Sequence, residues 1–352
     1  MSLQIDRIKN VSIRPDTSIL SALKQMDQFG FKLLMIVDEN AFKGLVSVGD
    51  IQRAIIKNTT LDAEVYSVIR KDYKVGSPQD TFEEIKRIVF EYRMVFYPIV
   101  DGKQHIVDIY FWEDLFGDKE IKPIEQFDLP VVVMAGGFGS RLKPITNVLP
   151  KPLIPIGENS IIEDIFERFY AHGCKDYYIS VNYKAELIEY YLNSQKKPYN
   201  LSFFKEDKPM GTAGSLHLLK NKIKETFFVS NCDILIDQDY SEILEYHRSH
   251  HNELTIVAAL KHYPIPYGTI ETAEDGQLVE LTEKPEFTFK INSGMYILEP
   301  SLLNEIPKDE FFHITHLIDK IIERGGKVGV FPVSEGAWRD IGEWDEYLKL
   351  IR

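Results

Sequence analysis

The chain has 352 residues, 44% of them hydrophobic, and a formal net charge of −13, a length and composition that suggest two or three domains, each with a substantial core. The acidic balance argues against general nucleic-acid binding, which needs clustered Lys and Arg. No apolar run approaches the roughly 20 residues that span a bilayer. Cys174 and Cys232 are the only cysteines, and without a C-x-x-C pair or His ligand spacing they read as reduced core thiols. With no signal-peptide pattern at the N-terminus, the expected location is cytoplasmic.

The first 120 or so residues contain an internal repeat. Residues 15–38 (PDTSILSALKQMDQFGFKLLMIVD) align with residues 78–101 (PQDTFEEIKRIVFEYRMVFYPIVD). In each copy a helix leads to a strand, 33–37 and 96–100, followed by a second strand and a short helix at 44–51 and 108–115. Two such β-α-β-β-α units cannot bury their faces alone and are expected to pack on each other. The repeat resembles a tandem pair of CBS domains. That resemblance implies a regulatory cleft for an adenine or guanine nucleotide, with an Asp on the ribose and a Ser or Thr just before it. The first copy keeps Ser47 and Asp50; the second keeps Asp114 but has Phe111 where the first has Ser47. The alternative is a ligand-free dimerisation module in which Asp50 only caps the following helix.

Residues 117–127 (GDKEIKPIEQF) are charged and lack apolar periodicity. They place the repeat at 1–120, a linker at 121–128 and a second domain from 129 to 352. Residues 131–134 then read as a buried β-branched strand, followed at once by Gly136, Gly137 and Gly139. Missing side chains let backbone N–H groups converge on phosphate oxygens. Arg141 offers a guanidinium fork and Lys151 a point charge. Pro150 and Pro152 are expected to hold Lys151 in an extended backbone. A dinucleotide fingerprint is excluded because its third glycine position is Leu142, and no Walker A string occurs. The prediction is a polyphosphate cradle.

The run G-G-x-G-S-R-L-x-P-x-T followed by P-K-P-L-x-P-I resembles the nucleotide-binding signature of the sugar-phosphate nucleotidyltransferases. The resemblance assigns Ala135, Gly136, Gly137, Gly139, Ser140 and Arg141 to the nucleotide, with Arg141 and Lys151 as the catalytic cations. Further along, Ser160 and Glu163 form a capping box for a helix with Ile162, Ile165, Phe166 and Phe169 on one face. Strands at 177–181, 201–204, 227–230, 254–260 and 295–298 alternate with helices such as 185–193. That pattern predicts an α/β fold with a Rossmann-like, mainly parallel sheet and a cleft beyond the carboxyl ends of its strands. The family likeness makes the domain glycosyltransferase-A-like.

Four later motifs extend the likeness to the C-terminus. In K-E-D-K-P-M-G-T-A-G-S, Glu206, Gly211, Thr212 and Ala213 match the family's nucleobase segment, and a helix is expected to follow. Asp233 follows an apolar strand, where a carboxylate is costly unless paired or metal-bound; it and Asp340 of W-R-D-I-G match the family's Mg²⁺ aspartates. Glu283 and Lys284 of E-K-P, Asn292 and Gly294 of N-S-G, and Gly268 match residues that hold the sugar phosphate.

The resemblance thus implies transfer of a nucleoside monophosphate from a nucleoside triphosphate to a sugar 1-phosphate, with Mg²⁺ as cofactor, in a homo-oligomer. A CBS pair ahead of a short transferase domain resembles the bacterial glucosamine-1-phosphate guanylyltransferases of legionaminic acid synthesis, which implies GTP and glucosamine 1-phosphate. The alternatives are a guanylyl-, uridylyl-, cytidylyl- or thymidylyltransferase for another hexose 1-phosphate, such as mannose 1-phosphate, or a catalytically inactive CBS-linked nucleotide sensor.

Overall fold

A computed structural model describes residues 7–39, 41–70, 72–117, 124–206 and 208–350, and the chain divides into two compact units, Met1–Pro123 and Ile124–Arg352. The first unit runs β1 (Ser12–Ile13), α1 (Ile19–Phe29), β2 (Leu33–Asp38), β3 (Ala41–Ser47), α2 (Val48–Ile56), α3 (Phe82–Glu91), β4 (Phe96–Val100), β5 (Ile106–Phe111) and α4 (Trp112–Phe116). Helix α1 starts where the Ser18 hydroxyl accepts the Ser21 N–H and ends at Gly30, whose left-handed φ of 70° suits glycine. Its apolar residues Ile19, Ala22, Leu23 and Met26 recur at helical spacing and are all buried.

The two copies meet as the repeat predicts. The Phe42 N–H donates to the Gln104 carbonyl at 2.7 Å. One core joins Val11, Met35, Phe42 and Leu45 of the first copy to Phe96, Val100, Ile109 and Phe111 of the second. Neither half-sheet buries both faces without the other.

Of the predicted linker 121–128, residues 121–123 lie outside the described residues, while 124–128 are tied to the second unit. The Phe127 N–H donates to the His172 carbonyl at 2.6 Å, the Gln126 amide donates to the Ala171 carbonyl at 2.7 Å, and the Phe127 ring stacks on His172 and Phe228.

The second unit continues with β6 (Val131–Met134), α5 (Ile161–Ala171), β7 (Asp176–Val181), α6 (Ala185–Ser194), β8 (Asn200–Lys205), β9 (Phe227–Asn231), β10 (Ile234–Ile236), α7 (Tyr240–Ser249) and β11 (Leu254–Pro264). It closes with β12 (Thr269–Thr272), β13 (Leu278–Thr282), β14 (Glu286–Leu298), α8 (Ile314–Glu323), β15 (Val328–Val333), β16 (Trp338–Asp340) and α9 (Trp344–Leu350). Seven strands form a sheet in the order β8-β7-β6-β9-β14-β11-β15, in which β14 alone runs antiparallel to its neighbours. The mainly parallel α/β architecture is therefore as predicted. Val131, Val132 and Val133 are fully buried, as a central parallel strand covered on both faces requires. The Ser160–Glu163 capping box forms, with the Ser160 N–H donating to the Glu163 carboxylate at 2.9 Å, and Ile162, Ile165, Phe166 and Phe169 are buried along α5.

The long strand β14 departs from the sequence expectation. It begins at Glu286 rather than near Met295, so Asn292 and Gly294 lie inside a strand. The β11–β14 register shifts between Ile256 and Ala258, and the Ser293 hydroxyl donates to the carbonyl of the intervening Val257 at 2.7 Å. A bulge of this kind redirects side chains beside a site. No described helix is long and apolar enough to cross a membrane.

Candidate active site

Strands β6 and β9 are parallel neighbours, yet the chain leaves β6 toward β7 and β8 on one side and returns to β9 on the other. This reversal opens a crevice at the carboxyl ends of the strands, where α/β sheets take ligands. The glycine loop follows β6 and Asp233 follows β9, so the two flank that crevice.

The loop's curvature depends on Gly139. Its φ is +63°, and a Cβ there would lie 2.8 Å from Thr146 Cγ2 and 3.1 Å from Lys151 Cβ. The Thr146 hydroxyl donates to the Gly139 carbonyl at 2.9 Å, closing the loop on itself. Gly137 has open space around it, as backbone that must meet a ligand requires. Ser140 and Arg141 begin a short 3₁₀ turn, Ser140–Leu142. Lys151 departs from its expected extended backbone. It opens a second 3₁₀ turn, Lys151–Leu153, in which the Leu153 N–H donates to the Pro150 carbonyl at 2.9 Å. Pro152 fits inside that turn because a first-turn residue needs no N–H donor.

Four charged side chains converge. Lys151, only 7% exposed, forms an ion pair with Asp233. Antiparallel pairing of β10 with β16 sets Asp340 opposite Ile234, and the Ile341 N–H donates to the Asp233 carbonyl at 2.8 Å. Arg141 pairs with Glu343 and lies 3.9 Å from the Asp340 carboxylate. Gly342 sits among them: a Cβ there would be 2.7 Å from Asp340 Oδ1, 2.7 Å from Lys151 Nζ and 2.9 Å from an Arg141 nitrogen. Burial holds the Asp340 carboxyl above its usual range, opposed by the Gly342 N–H and reinforced by the charge of Asp233.

The two aspartates fit a divalent cation. They are hard oxygen donors, Asp340 at the end of β16 and Asp233 in the turn just before its partner β10, and each already faces a cationic side chain. Among the described residues no group of three or more His, Cys, Asp and Glu gathers as metal ligands. Two carboxylates suit Mg²⁺, which takes one or two from the protein and completes its octahedron with phosphate oxygens and water.

In the segment expected to meet the nucleobase, Glu206 is 7% exposed and turned inward. Its carboxylate accepts from the Ser180 hydroxyl at 2.6 Å and the Met210 N–H at 3.3 Å, and lies directly behind Gly136. Gly211 adopts φ +78°, and a Cβ there would be 2.7 Å from the Phe312 carbonyl oxygen. That same carbonyl accepts the Ala213 and Gly214 N–H groups at 3.0 and 2.9 Å. The expected helix after this segment is replaced by a 3₁₀ stretch, Gly214–Leu219.

The predicted sugar residues fall into two groups. Asn292 Oδ1 accepts the Gly294 N–H at 3.1 Å, and Gly294, at φ +88°, packs against the Asn231 amide at the end of β9. The Trp338 indole donates to the Ser293 carbonyl at 3.2 Å, tying β16 to the bulge. Gly268 faces Glu283, with the built Cβ 3.0 Å from its carboxylate, while Lys284 is exposed with φ 48°. These three belong to the projecting β11–β14 ribbon and the β12–β13 hairpin, apart from the aspartates in the fold.

The structure adds residues that the motifs did not single out. Lys184 donates to the Asn147 and Val148 carbonyls at 2.7 Å each and to Thr146 at 3.4 Å, pinning the chain between Arg141 and Lys151. Gly342 closes the W-R-D-I-G motif without having been given a role there, and Glu343 and Asn231 lie beside residues that carried the signal. The segment 312–316 carried no motif beyond a polar His-x-x-His start before an apolar helical run.

In the first unit, the Ser47 N–H and hydroxyl donate to Asp50 Oδ2 at 2.9 and 2.6 Å, while Arg70 lies 2.7 Å from Oδ1 and Arg53 also pairs with it. Asp50 is 5% exposed and its acceptor positions are filled. Asp114 accepts from Arg7 at 3.0 Å and from the Phe111 N–H at 3.2 Å, and the Arg7 guanidinium lies over the Phe111 ring. Cys174 and Cys232 are buried, and burial pushes both thiols up to about 12.

The nucleotidyl transferase family model matches residues 130–352 and the CBS domain model residues 5–57, the first copy of the repeat. The chain is 34% identical over 229 residues to a mannose-1-phosphate guanyltransferase of Emericella nidulans, covering 62% of each protein. It is 36% identical over 224 residues to a mannose-1-phosphate guanylyltransferase catalytic subunit beta of Drosophila pseudoobscura pseudoobscura, covering 62% of this chain and 60% of that protein. The aligned region thus spans about three fifths of these relatives' length. Among solved structures, HddC from Yersinia pseudotuberculosis aligns with 98% of its chain and 63% of this one, at a TM-score of 0.50 and 26% identity, and has also been solved in complex with GMP-PN. With its family model spanning most of the sequence and its cations and aspartates gathered beyond the carboxyl ends of two central strands, the chain belongs to the nucleotidyl transferase family and carries a CBS domain at its N-terminal end.

Proposed function

We propose that the second unit transfers a nucleoside monophosphate from a nucleoside triphosphate to a sugar 1-phosphate and releases pyrophosphate. The observation that carries this reading is the convergence of Arg141, Lys151, Asp233 and Asp340 around Gly342. A sugar 1-phosphate is already anionic near neutral pH, so no general base is needed. One of its oxygens bonds to the α-phosphorus, the α–β bridging bond breaks, and pyrophosphate leaves with the electron pair. Arg141 and Lys151 meet the charge that develops on the transferring and leaving groups, and the glycine loop's amides hold the phosphates in line. Asp233 and Asp340 would hold Mg²⁺, which supplies counter-charge to the phosphates when bound.

A guanine donor is favoured by the names of the relatives and by the GMP-PN complex of HddC. For the acceptor, the domain arrangement points to glucosamine 1-phosphate and the relatives' names to mannose 1-phosphate. The test is a panel of four nucleoside triphosphates against hexose 1-phosphates with Mg²⁺, read by pyrophosphate release and repeated with EDTA. GTP with one of these two acceptors is expected to give the fastest release, and chelation to stop it. No pyrophosphate from any pair would overturn the transferase reading and leave the nucleotide sensor.

A further inference from the structure

The segment that fixes the Gly211–Ala213 turn comes from about a hundred residues downstream and belongs to no motif. The Phe312 N–H donates to the Met210 carbonyl at 2.9 Å, and the Phe312 carbonyl accepts from Ala213 and Gly214. The Ile314 N–H donates to the Thr212 hydroxyl oxygen at 3.0 Å. The backbone of each strand of this clasp is therefore bound by the other. The His313 side chain adds a further contact: the Thr212 N–H donates to His313 Nδ1 at 3.4 Å, and the Thr212 hydroxyl lies 3.3 Å from the same nitrogen. A ring nitrogen accepts an N–H through its lone pair, so in this contact Nδ1 serves as the acceptor.

His313 is itself held in place. It is the N-cap residue of α8, its own N–H donates to His316 Nδ1 at 3.2 Å, and its ring lies edge-on to Phe311 at 4.7 Å between centroids. On the other side Gly211 has no room for a side chain, since a Cβ would meet both the Phe312 carbonyl and, at 3.3 Å, His313 Nδ1. The turn and the histidine are thus fitted to each other.

We propose that His313 is a positioning residue for the nucleotide. By accepting the Thr212 N–H it fixes the Gly211–Ala213 turn in the form against which the nucleobase lies. This rests on the reading of that turn as the nucleobase platform. It assigns to His313 a role in donor binding, with no contact to the sugar phosphate and no part in bond making.

The test compares His313→Ala, which removes the acceptor, with His313→Asn, whose short side-chain oxygen restores one at similar reach. Hydrogen exchange of the Met210–Gly214 amides reads the turn without any ligand. GTP binding by calorimetry, and the KM values for nucleotide and sugar phosphate, read its consequence. His313→Ala is expected to speed exchange at Thr212 and weaken GTP binding by about fivefold, the size of one neutral hydrogen bond. The sugar-phosphate KM should stay within about twofold, and His313→Asn should recover most of both losses. Unchanged exchange in His313→Ala, equal losses in the two variants, or a matching rise in the sugar-phosphate KM would each overturn the proposal. If the wild-type protein binds no nucleoside triphosphate, the platform reading falls instead, and the exchange data still decide whether His313 fixes the turn.

Discussion

Lys151 and Asp233 form an ion pair across the mouth of the crevice, one from the glycine-loop segment and the other from the end of β9. The lysine is almost wholly buried and the aspartate mostly so. Buried charges of this kind are stable only while each has its partner. In the proposed reaction a polyphosphate with its cation would offer both groups new partners at once, Lys151 the phosphate oxygens and Asp233 the metal. On that proposal the pair is preorganised for exchange on binding.

Arg141 contrasts with Lys151 in being half exposed and paired with Glu343 at the surface. Its removal leaves no buried charge behind, so the fold should survive. Arg141→Ala is expected to lower turnover by roughly 10²-fold or more, the scale for one lost charge-stabilising donor. Steady-state pyrophosphate release checks this, with the thermal midpoint as control; near-normal turnover in a folded variant refutes the role.

Gly342→Ala probes the convergence itself. The added methyl meets the ends of three flexible side chains, Asp340, Lys151 and Arg141, each under 3 Å away. Flexible ends can move aside, so stability should change by only about 1 kcal/mol. The displaced groups are those proposed to act, and a misplacement of about 1 Å costs roughly 10²-fold in rate. Turnover and urea midpoint measured together separate the two effects; a variant with full activity would show that these side chains need not converge.

His247 predicts an acid limb in stability. It is 1% exposed between Thr255 at 2.8 Å and Glu299 at 3.1 Å, and burial lowers its pKa more than Glu299 raises it. The unfolded chain therefore binds the proton more readily than the native one, and stability rises with pH across this window. The contribution is present above the unfolded value of about 6.5 and is lost as pH falls below it. Thermal midpoints from pH 8 to pH 5 should fall more steeply for the wild type than for His247→Gln. Parallel curves would remove His247 as the cause.

Asp50 sits at the start of α2 with Ser47 beneath it and two half-exposed arginines, Arg53 and Arg70, on its outer oxygen. Loss of the carboxylate removes half of a capping box, costing about 1 kcal/mol, while the arginines rehydrate. Asp50→Ala should also abolish any shift in thermal midpoint produced by AMP, ATP or GTP at the first CBS copy. An undiminished shift would locate nucleotide binding elsewhere.

The sequence by itself determined the repeat, many of the elements and the family likeness. Apolar periodicity placed β6, β7 and α5, because burying one face is a local demand that each segment carries in its own residues. The spacing of Gly139, Arg141 and Lys151 announced an anion site, since few other functions need glycines and cations so close together. What tertiary structure alone decided was partnership. That β16 would pair with β10 and bring Asp340 to Asp233, that Gly342 would stand among the ends of three charged side chains, and that Phe312 and His313 would clasp the Gly211 turn depend on contacts between distant segments. Such contacts leave no period in the chain, because each is satisfied only by the shape of its partner.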